Sequence, residues 1–403
     1  MIVIDASPAV HHKAGLGRYA EELIAALALP PGATKPSDDL IAFYHDARSA
    51  TPSKLIQSLT CVATAQTPYP WRLRALLAQL LNLSQDSLLD RIHAPSGELP
   101  VKPAQPGSAT DGRRTVFHAT EHLLPRFKRL KTVFTLHDLI FRFFPQHHLP
   151  RNRIFLNLAM PLFLRRADAI ICVSEHTKRD AVKSYGVPEE KIRVIYEGIH
   201  PRFRRIVDKT ALQAARERYR LPERFILAVG TIEPRKNLPT LFAAFKALRE
   251  ENDALTQEVI VVGKQGWLHE ATYRAVHDLG LTGRVRFLTE VEDDGLVAML
   301  SLAQVLAFPS VYEGFGFPPL EAMACGTAVI SSNAACLPEI LGNDALLIPP
   351  MDTAAWASAL RRILTDDQFR ADFQRRGPVR AARFTWQKAA TETRAVYAPV
   401  WPS

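Results

Sequence analysis

Two acids stand out in the stretch SVYEGFGFPPLEAMACG, residues 310–326. Glu313 and Glu321 are separated by seven residues, and Gly314, Phe315 and Gly316 follow the first acid directly. Proline suits the first turn of a helix and not its interior. Pro318 and Pro319 therefore predict a loop through the glycines, then a helix over Pro318–Ala324 that Gly326 stops. Glu321 falls in or near the first turn, where the helix dipole favours negative charge. Glycines let a ligand approach the backbone closely. Two carboxylates and free N–H groups on one spot suit a polyhydroxylated anion such as a sugar phosphate. The alternative is a surface loop with two solvated acids.

A cationic counterpart lies upstream. Arg235, Lys236 and Asn237 follow the strand-like run FILAVG, which ends at Gly230. They open the clearest helical pattern in the chain, with Leu238, Leu241, Phe242 and Phe245 at i, i+3, i+4 and i+7. Ligands bind at the carboxyl ends of parallel strands, and a helix N-terminus favours phosphate. Arginine forks onto two phosphate oxygens, and lysine adds a mobile charge. A solvated basic turn is the competing reading.

His137 and Asp138 end the strand pattern TLHDL, and His118 ends another. A histidine at such an edge can hydrogen-bond a sugar hydroxyl, or can be a satisfied core residue. Glu121, His122, His147 and His148 lie nearby in sequence without clear ligand spacing, so no metal site is expected. Gly15, Gly17 and Ala20 spell G-x-G-x-x-A. Ser7–Ala14 separate this from the preceding strand, which weakens a nicotinamide-dinucleotide reading. A glycine loop admitting a phosphate or an acceptor fits better, and a plain tight turn is the bland alternative.

These residues need scaffolds. Runs such as IVID, LIAFYH, TVFHA, TVFTLHD, AIICVS and RVIYEG in the first half alternate with helical patterns. FILAVG, EVIVVG, RVRFL, QVLAFP, TAVISS and ALLIP do so in the second. Strand–helix alternation predicts an α/β protein with two doubly wound parallel sheets. The expected domains are 1–203 and 204–384, with a last helix over 385–403 beyond the second sheet's needs. Asn82–Arg114 is rich in Pro, Gly and Ser and reads as a long loop or a partly disordered insertion. Trp71–Leu81 reads as a core helix, or as an amphipathic helix lying on lipid.

At 403 residues the chain has room for two cores. Hydrophobic content of 47% and charged content of 23% describe a soluble protein of ordinary composition. The net charge of +9 fits anionic small molecules or an anionic membrane surface. Aromatics are not interleaved with the basic clusters, so nucleic acid is not an expected partner. Arg126, Lys128, Arg129 and Lys131, with Arg113, Arg114, Arg151 and Arg153, make the first half locally basic. A solvated face is the default reading; the sharper one is contact with anionic lipid, where each basic residue near the surface contributes about 1 kcal/mol. The four cysteines lack paired spacing, which suits a cytoplasmic location. The longest apolar run, Ile154–Leu164, is too short to span a bilayer.

EGFGFPPLEAMACGTAVISS, preceded by VGTIEPRKN and VIVVGKQGW, resembles the retaining family-four glycosyltransferases with the GT-B fold, two Rossmann-like domains facing an interdomain cleft. GLGRYAEELIAAL, VFHATEHLLP, TLHDLIFRFFP and VSEHTKRDAV fit more loosely, and the whole is similar to bacterial mannosyltransferases of surface polysaccharide synthesis. The resemblance implies that Arg235 and Lys236 bind the donor diphosphate. It implies that Glu313 meets the donor sugar, Glu321 the ribose, and the backbone of Gly314–Gly316 the sugar and phosphates. It puts Gly230 in the donor site, His137 near the reacting sugar, and Gly15–Gly17 near phosphate or acceptor. The implied reaction moves mannose from GDP-mannose to a lipid-linked saccharide, with retention and without a metal or other cofactor. The enzyme would be cytoplasmic, or peripheral on the inner face of the membrane. A UDP-sugar transferase, a UDP-amino-sugar epimerase, an NAD-dependent oxidoreductase and a non-catalytic sugar-nucleotide sensor are the alternatives.

Overall fold

A computed structural model describes residues 1–11, 14–29, 32, 37, 39–46, 56, 62–66, 71–86, 115–251 and 255–400. Most of the loop expected over Asn82–Arg114 lies outside the described residues. The chain divides into two compact units. One comprises Met1–Leu139, Pro150–Gly198 and Thr385–Ser403; the other comprises Ile140–Leu149 and Ile199–Phe384. The division thus falls just after Gly198, a little before the boundary read from sequence, and the short Ile140–Leu149 segment goes with the second unit.

The first unit holds a seven-stranded sheet. Its strands are β1 Ile2–Asp5, β2 Leu40–Asp46, β3 Val62–Gln66, β4 Val116–Ala119, β5 Lys131–Leu136, β6 Ala169–Cys172 and β7 Ile192–Val194. Their order is β3-β2-β1-β4-β5-β6-β7, with every pairing parallel. Strands β1, β4 and β6 are buried along their whole length, as strands covered on both faces must be. The edge strand β3 was not expected: VATAQ has one β-branched apolar residue and no aromatic to announce it. The helix Trp386–Val400 belongs to this unit. Its Tyr397 hydroxyl bonds His118 Nδ1 at 2.7 Å, and Arg394 pairs with Asp39 at 3.2 Å.

The second unit has six parallel strands: β8 Phe225–Val229, β9 Glu258–Val262, β10 Val285–Leu288, β11 Val305–Phe308, β12 Ala328–Ser332 and β13 Leu346–Ile348. Their order is β10-β9-β8-β11-β12-β13. Helix Leu238–Glu251 buries Leu241, Phe242 and Phe245 in one core with Trp356 and Leu360 of helix Thr353–Thr365. Each such side chain contributes roughly 2–3 kcal/mol by leaving water.

Strand order reverses between β1 and β4 in the first sheet and between β8 and β11 in the second. At such a point the connections leave toward opposite faces and open a crevice at the carboxyl ends of the two strands. That topology carries the residues following β8 and those following β11 to one place.

Candidate active site

The turn after β8 is short and stiff. Pro234–Lys236 forms one turn of 3-10 helix ahead of Leu238–Glu251, so Arg235 and Lys236 precede the helix rather than open it. Asn237 joins the two with φ +51°, a left-handed conformation that asparagine tolerates better than most residues. Its amide Nδ2 donates to Pro309 O at 3.1 Å and Pro350 O at 2.7 Å, tying the turn to the chain beyond β11 and β13. Val311 N–H donates to Arg235 O at 3.0 Å and adds a further tie.

These ties bring Arg235, Lys236 and Glu313 into one cluster. Lys236 Nζ donates to Glu313 Oε1 at 2.7 Å, Ser310 Oγ donates to the same oxygen at 2.6 Å, and Arg235 Nη1 donates to Oε2. The acid is buried, which by itself pushes its carboxyl up. Arg235, Lys236 and the bonds from Lys236 and Ser310 overrule burial and hold it down at about 2. Lys236 is also buried, and its pKa is lowered, by desolvation first and by Arg235 second, although Glu313 and Glu233 pull the other way. Its ammonium lies 4.8 Å from the centre of the Phe308 ring, a favourable cation–π position.

A fourth member was not singled out from sequence. Glu233, 3% exposed, accepts from Arg235 Nε at 2.9 Å and Nη2 at 2.6 Å through its Oε1. The only sequence signal is an acid two residues before the arginine, in IEPRK. With Glu233 and Glu313 against Arg235 and Lys236, the cluster is balanced in charge. An arriving diphosphate would compete with the two carboxylates for the same N–H donors.

The surrounding residues are accounted for individually. Gly230 has φ +143°, and a Cβ there would sit 3.0 Å from Lys236 Cε. Gly316, φ +97°, leads into a helix observed over Phe317–Ala324, close to the expected span. Phe315 is buried against Phe317 and Phe384, between Gly314 and Gly316. Glu321 is 2% exposed and lies one residue beyond the first turn of that helix. Tyr312 carries Phe143 stacked at 5.9 Å and Phe144 tilted at the same distance, so residues 140–149 add an aromatic layer next to Glu313. The same segment is held by Trp267 Nε1, which donates to His147 O at 2.5 Å.

In the first unit, His137 sits just past β5 and is buried. Its Nδ1 lies 3.2 Å from Glu197 Oε1 and its Nε2 2.9 Å from Thr120 O. A carbonyl accepts only, so Nε2 carries a proton. A second proton lies on the line between Nδ1 and the Glu197 carboxyl. Burial disfavours charge on the ring, but the Glu197 bond and charge, the Thr120 carbonyl and Asp138 outweigh it and raise the pKa of His137. His118 behaves oppositely: burial, then His137, push it down to about 3, and it stands neutral between Tyr397 and Thr135. Glu197 is the second residue that sequence reading passed over.

Gly15 and Gly17 correct an expectation. They lie inside the helix Ala14–Ala28 and not in a loop before it. A Cβ on Gly17 would meet Pro8 O at 2.8 Å, so this glycine serves the close approach of helix Ser7–Val10. The dinucleotide fingerprint therefore has no strand-to-helix glycine turn to rest on. Two residues further on, Tyr19 places its ring edge against His137 at 4.6 Å and bonds Thr135 Oγ1 at 3.0 Å.

Comparison with known proteins agrees with the two-sheet fold. The family described as "Glycosyl transferases group 1" matches residues 212–380, and "Glycosyltransferase Family 4" matches residues 114–203. Two glycosyltransferase families thus account for residues 114–203 and 212–380, and the chain has the GT-B fold. Over 265 residues it is 31% identical to the serotype-specific mannosyltransferase WbdA of Escherichia coli, covering 64% of this chain but only 32% of that protein. The chain therefore spans about a third of that relative's length. It is 29% identical over 286 residues to the O-antigen chain mannosyltransferase B of Escherichia coli, which covers 70% of this chain and 74% of that one. The crystal structure of Anabaena HepE with UDP and glucose superposes with a TM-score of 0.72 at 17% identity, covering 99% of this chain and 100% of that one. At that identity the likeness is one of fold. Among the described residues no helix is long and apolar enough to cross a membrane.

Proposed function

We propose that this GT-B glycosyltransferase is a retaining mannosyltransferase that moves mannose from GDP-mannose onto a lipid-linked saccharide in polysaccharide synthesis. The observation that carries the reading is the cluster of Arg235, Lys236 and Glu313 at the point where strand order reverses. The names of the relatives supply the sugar.

The chemistry follows from the charges. Cleavage of the bond between sugar and diphosphate develops negative charge on the leaving oxygen and positive charge on the sugar. Arg235 and Lys236, already held in place and largely withdrawn from water, stabilise the leaving group without reorganising. A diphosphate that takes over their N–H groups releases Glu313 toward the sugar hydroxyls. Glu313 enters this scheme as a binding group. Retention then proceeds by front-face attack, with the donor phosphate helping to remove the acceptor proton. Arg235 and Lys236 match the two negative charges of a bound diphosphate diester, and the proposed reaction uses no metal. A lipid-linked acceptor places the work at the inner face of a membrane, in the cytoplasm.

A panel of GDP, UDP and ADP sugars, read first by thermal shift and then by transfer to lipid-linked acceptors, tests the reading. GDP-mannose should raise the apparent stability most. It should also give an acceptor-dependent product of retained configuration that survives added chelator. Preference for a UDP sugar would reject the donor. A product formed with no acceptor would point to an epimerase, and binding with no turnover on any acceptor to a sensor.

A further inference from the structure

The first unit carries a surface that the donor chemistry does not use. Helices Trp71–Leu80 and Pro150–Arg166 lie side by side in parallel. Arg72 Nη1 donates to Asn152 Oδ1 at 3.0 Å near their N-termini, and Arg166 Nη1 donates to Gln79 Oε1 at 2.6 Å near their C-termini. The first helix packs through Ala75, Ala78 and Gln79, and the second through Ala159, Met160, Phe163 and Leu164. What they leave outside is apolar and basic. Leu80 and Leu81 are 58% and 62% exposed, and Leu77 and Leu83 are exposed beside them. On the second helix Ile154 and Leu158 are 57% and 56% exposed.

Beyond Pro150 at its start, the exposed positions of that helix are Arg151, Ile154, Leu158, Pro161 and Arg165. They recur at helical spacing, so they form one stripe, apolar in the middle and cationic at both ends. Neither helix contains an acid, and together they hold six arginines. Arg126 places its guanidinium on Asn82 Oδ1 at 2.9 Å, between Leu81 and Leu83, and Lys128 and Arg129 are exposed next in sequence. A protein partner complementary to this surface would have to bring an unbroken set of acids to a shallow apolar face. A bilayer with anionic headgroups meets both demands at once. Leucines enter the acyl boundary, and arginines reach phosphates from apolar stems.

We propose that the paired helices Trp71–Leu80 and Pro150–Arg166 are a docking surface for an anionic lipid bilayer. The inference deepens the reading of a lipid-linked acceptor by naming the surface that meets the membrane. It stands on residues that lie outside the donor cluster.

The test is co-sedimentation of the full chain with phosphatidylcholine vesicles, with and without phosphatidylglycerol, in the absence of any nucleotide sugar. Binding should require the anionic lipid and weaken as salt shortens electrostatic reach. The pairs Leu80→Ser with Leu81→Ser, and Ile154→Ser with Leu158→Ser, should each lower vesicle affinity by about tenfold. These side chains are exposed, so thermal midpoint and donor binding should be unchanged in the variants. Unaltered vesicle binding by both pairs, or no binding by the parent protein, overturns the proposal. So does a parent dimer in light scattering that the leucine variants turn into monomer, since the face would then be covered by a second copy. Because no donor is present, a wrong assignment of sugar or nucleotide leaves this experiment unaffected.

Discussion

Lys236 Nζ and Glu313 Oε1 lie 2.7 Å apart, although 77 residues separate them in the chain. In the proposed reaction this cation holds the leaving diphosphate, and the acid paired with it here holds the sugar. Replacing Glu313 with glutamine should therefore split two properties that usually fall together. The amide offers no charge to compete for Arg235 and Lys236, so nucleoside diphosphate should bind at least as tightly as to the parent. Transfer should drop roughly 100-fold, as when a charge-stabilising group is lost from an active site. Calorimetry with GDP alongside turnover decides it. Parallel loss of both would mean that Glu313 only props up the fold.

The same acid makes a prediction about pH. The Glu313 carboxyl is held at about 2 against an ordinary value of 4.5. A depressed carboxyl contributes stability that is present above the unfolded value and lost as pH falls toward the folded one. The contribution is on the order of 3 kcal/mol at neutral pH. Denaturant unfolding of the parent and Glu313→Gln should thus differ above about pH 5 and converge as pH falls toward 2. A gap that stays constant down to about pH 3 would show that the carboxylate charge is not its source.

His137 and Glu197 give the opposite sign. A histidine whose folded pKa is raised contributes stability fully present below its unfolded value and lost as pH rises through the folded value. Glu197, the first-unit partner at 3.2 Å, is among the causes that raise it. Glu197→Gln should lower the His137 titration midpoint, followed by the ring proton signals in NMR. Stability should then fall at a lower pH than in the parent. An unshifted midpoint would leave Thr120 O and Asp138 as sufficient causes and remove Glu197 from the account.

The course of the fold was readable because parallel strands buried on both faces are continuous apolar runs, as in IVID and FILAVG, and these stand clear of helical periods. The strand β3 was not readable, because VATAQ sits at the sheet edge and needs no such run. Arg235, Lys236 and Glu313 could be picked out by residue type and by their position after strands. Their mutual contacts could not, since these depend on β8 and β11 being neighbours, and strand order leaves no local mark. Glu233 and Glu197 were missed for the same reason: a buried acid is recognisable only once its cation is found. Gly15 and Gly17 misled in the other direction, because a glycine needed for close helix packing has the same spelling as one needed for a turn.

A close approach of backbone to backbone yields a prediction about folding alone. A Cβ on Gly263 would lie 2.0 Å from Gly230 O. A carbonyl in the chain cannot swing aside as a side chain does. Gly263→Ala must force the ends of β8 and β9 apart, beside Lys236, at a cost of roughly 2–4 kcal/mol. Chemical denaturation should show a clear loss of stability. An alanine tolerated within about 0.5 kcal/mol would mean that the two strand ends are looser than described.

Asn237 tests how far the charged cluster of Arg235, Lys236 and Glu313 depends on its turn. Two roles of the residue are separable: it accepts φ +51°, and its amide bonds Pro309 O, Pro350 O and, through Oδ1, the Thr240 hydroxyl at 2.9 Å. Asn237→Gly keeps the first and loses the second, while Asn237→Ala loses both. Leaving the buried Pro309 carbonyl and the half-buried Pro350 carbonyl short of a donor costs about 1–3 kcal/mol, and a left-handed alanine adds roughly 1 kcal/mol. The alanine variant should therefore be the less stable of the two. If the amide bonds aim Arg235 and Lys236, both variants should bind GDP more weakly by a similar factor, despite their different stabilities. Should the glycine variant bind GDP like the parent, backbone conformation alone positions the cations, and the bonds to Pro309 and Pro350 serve only the fold.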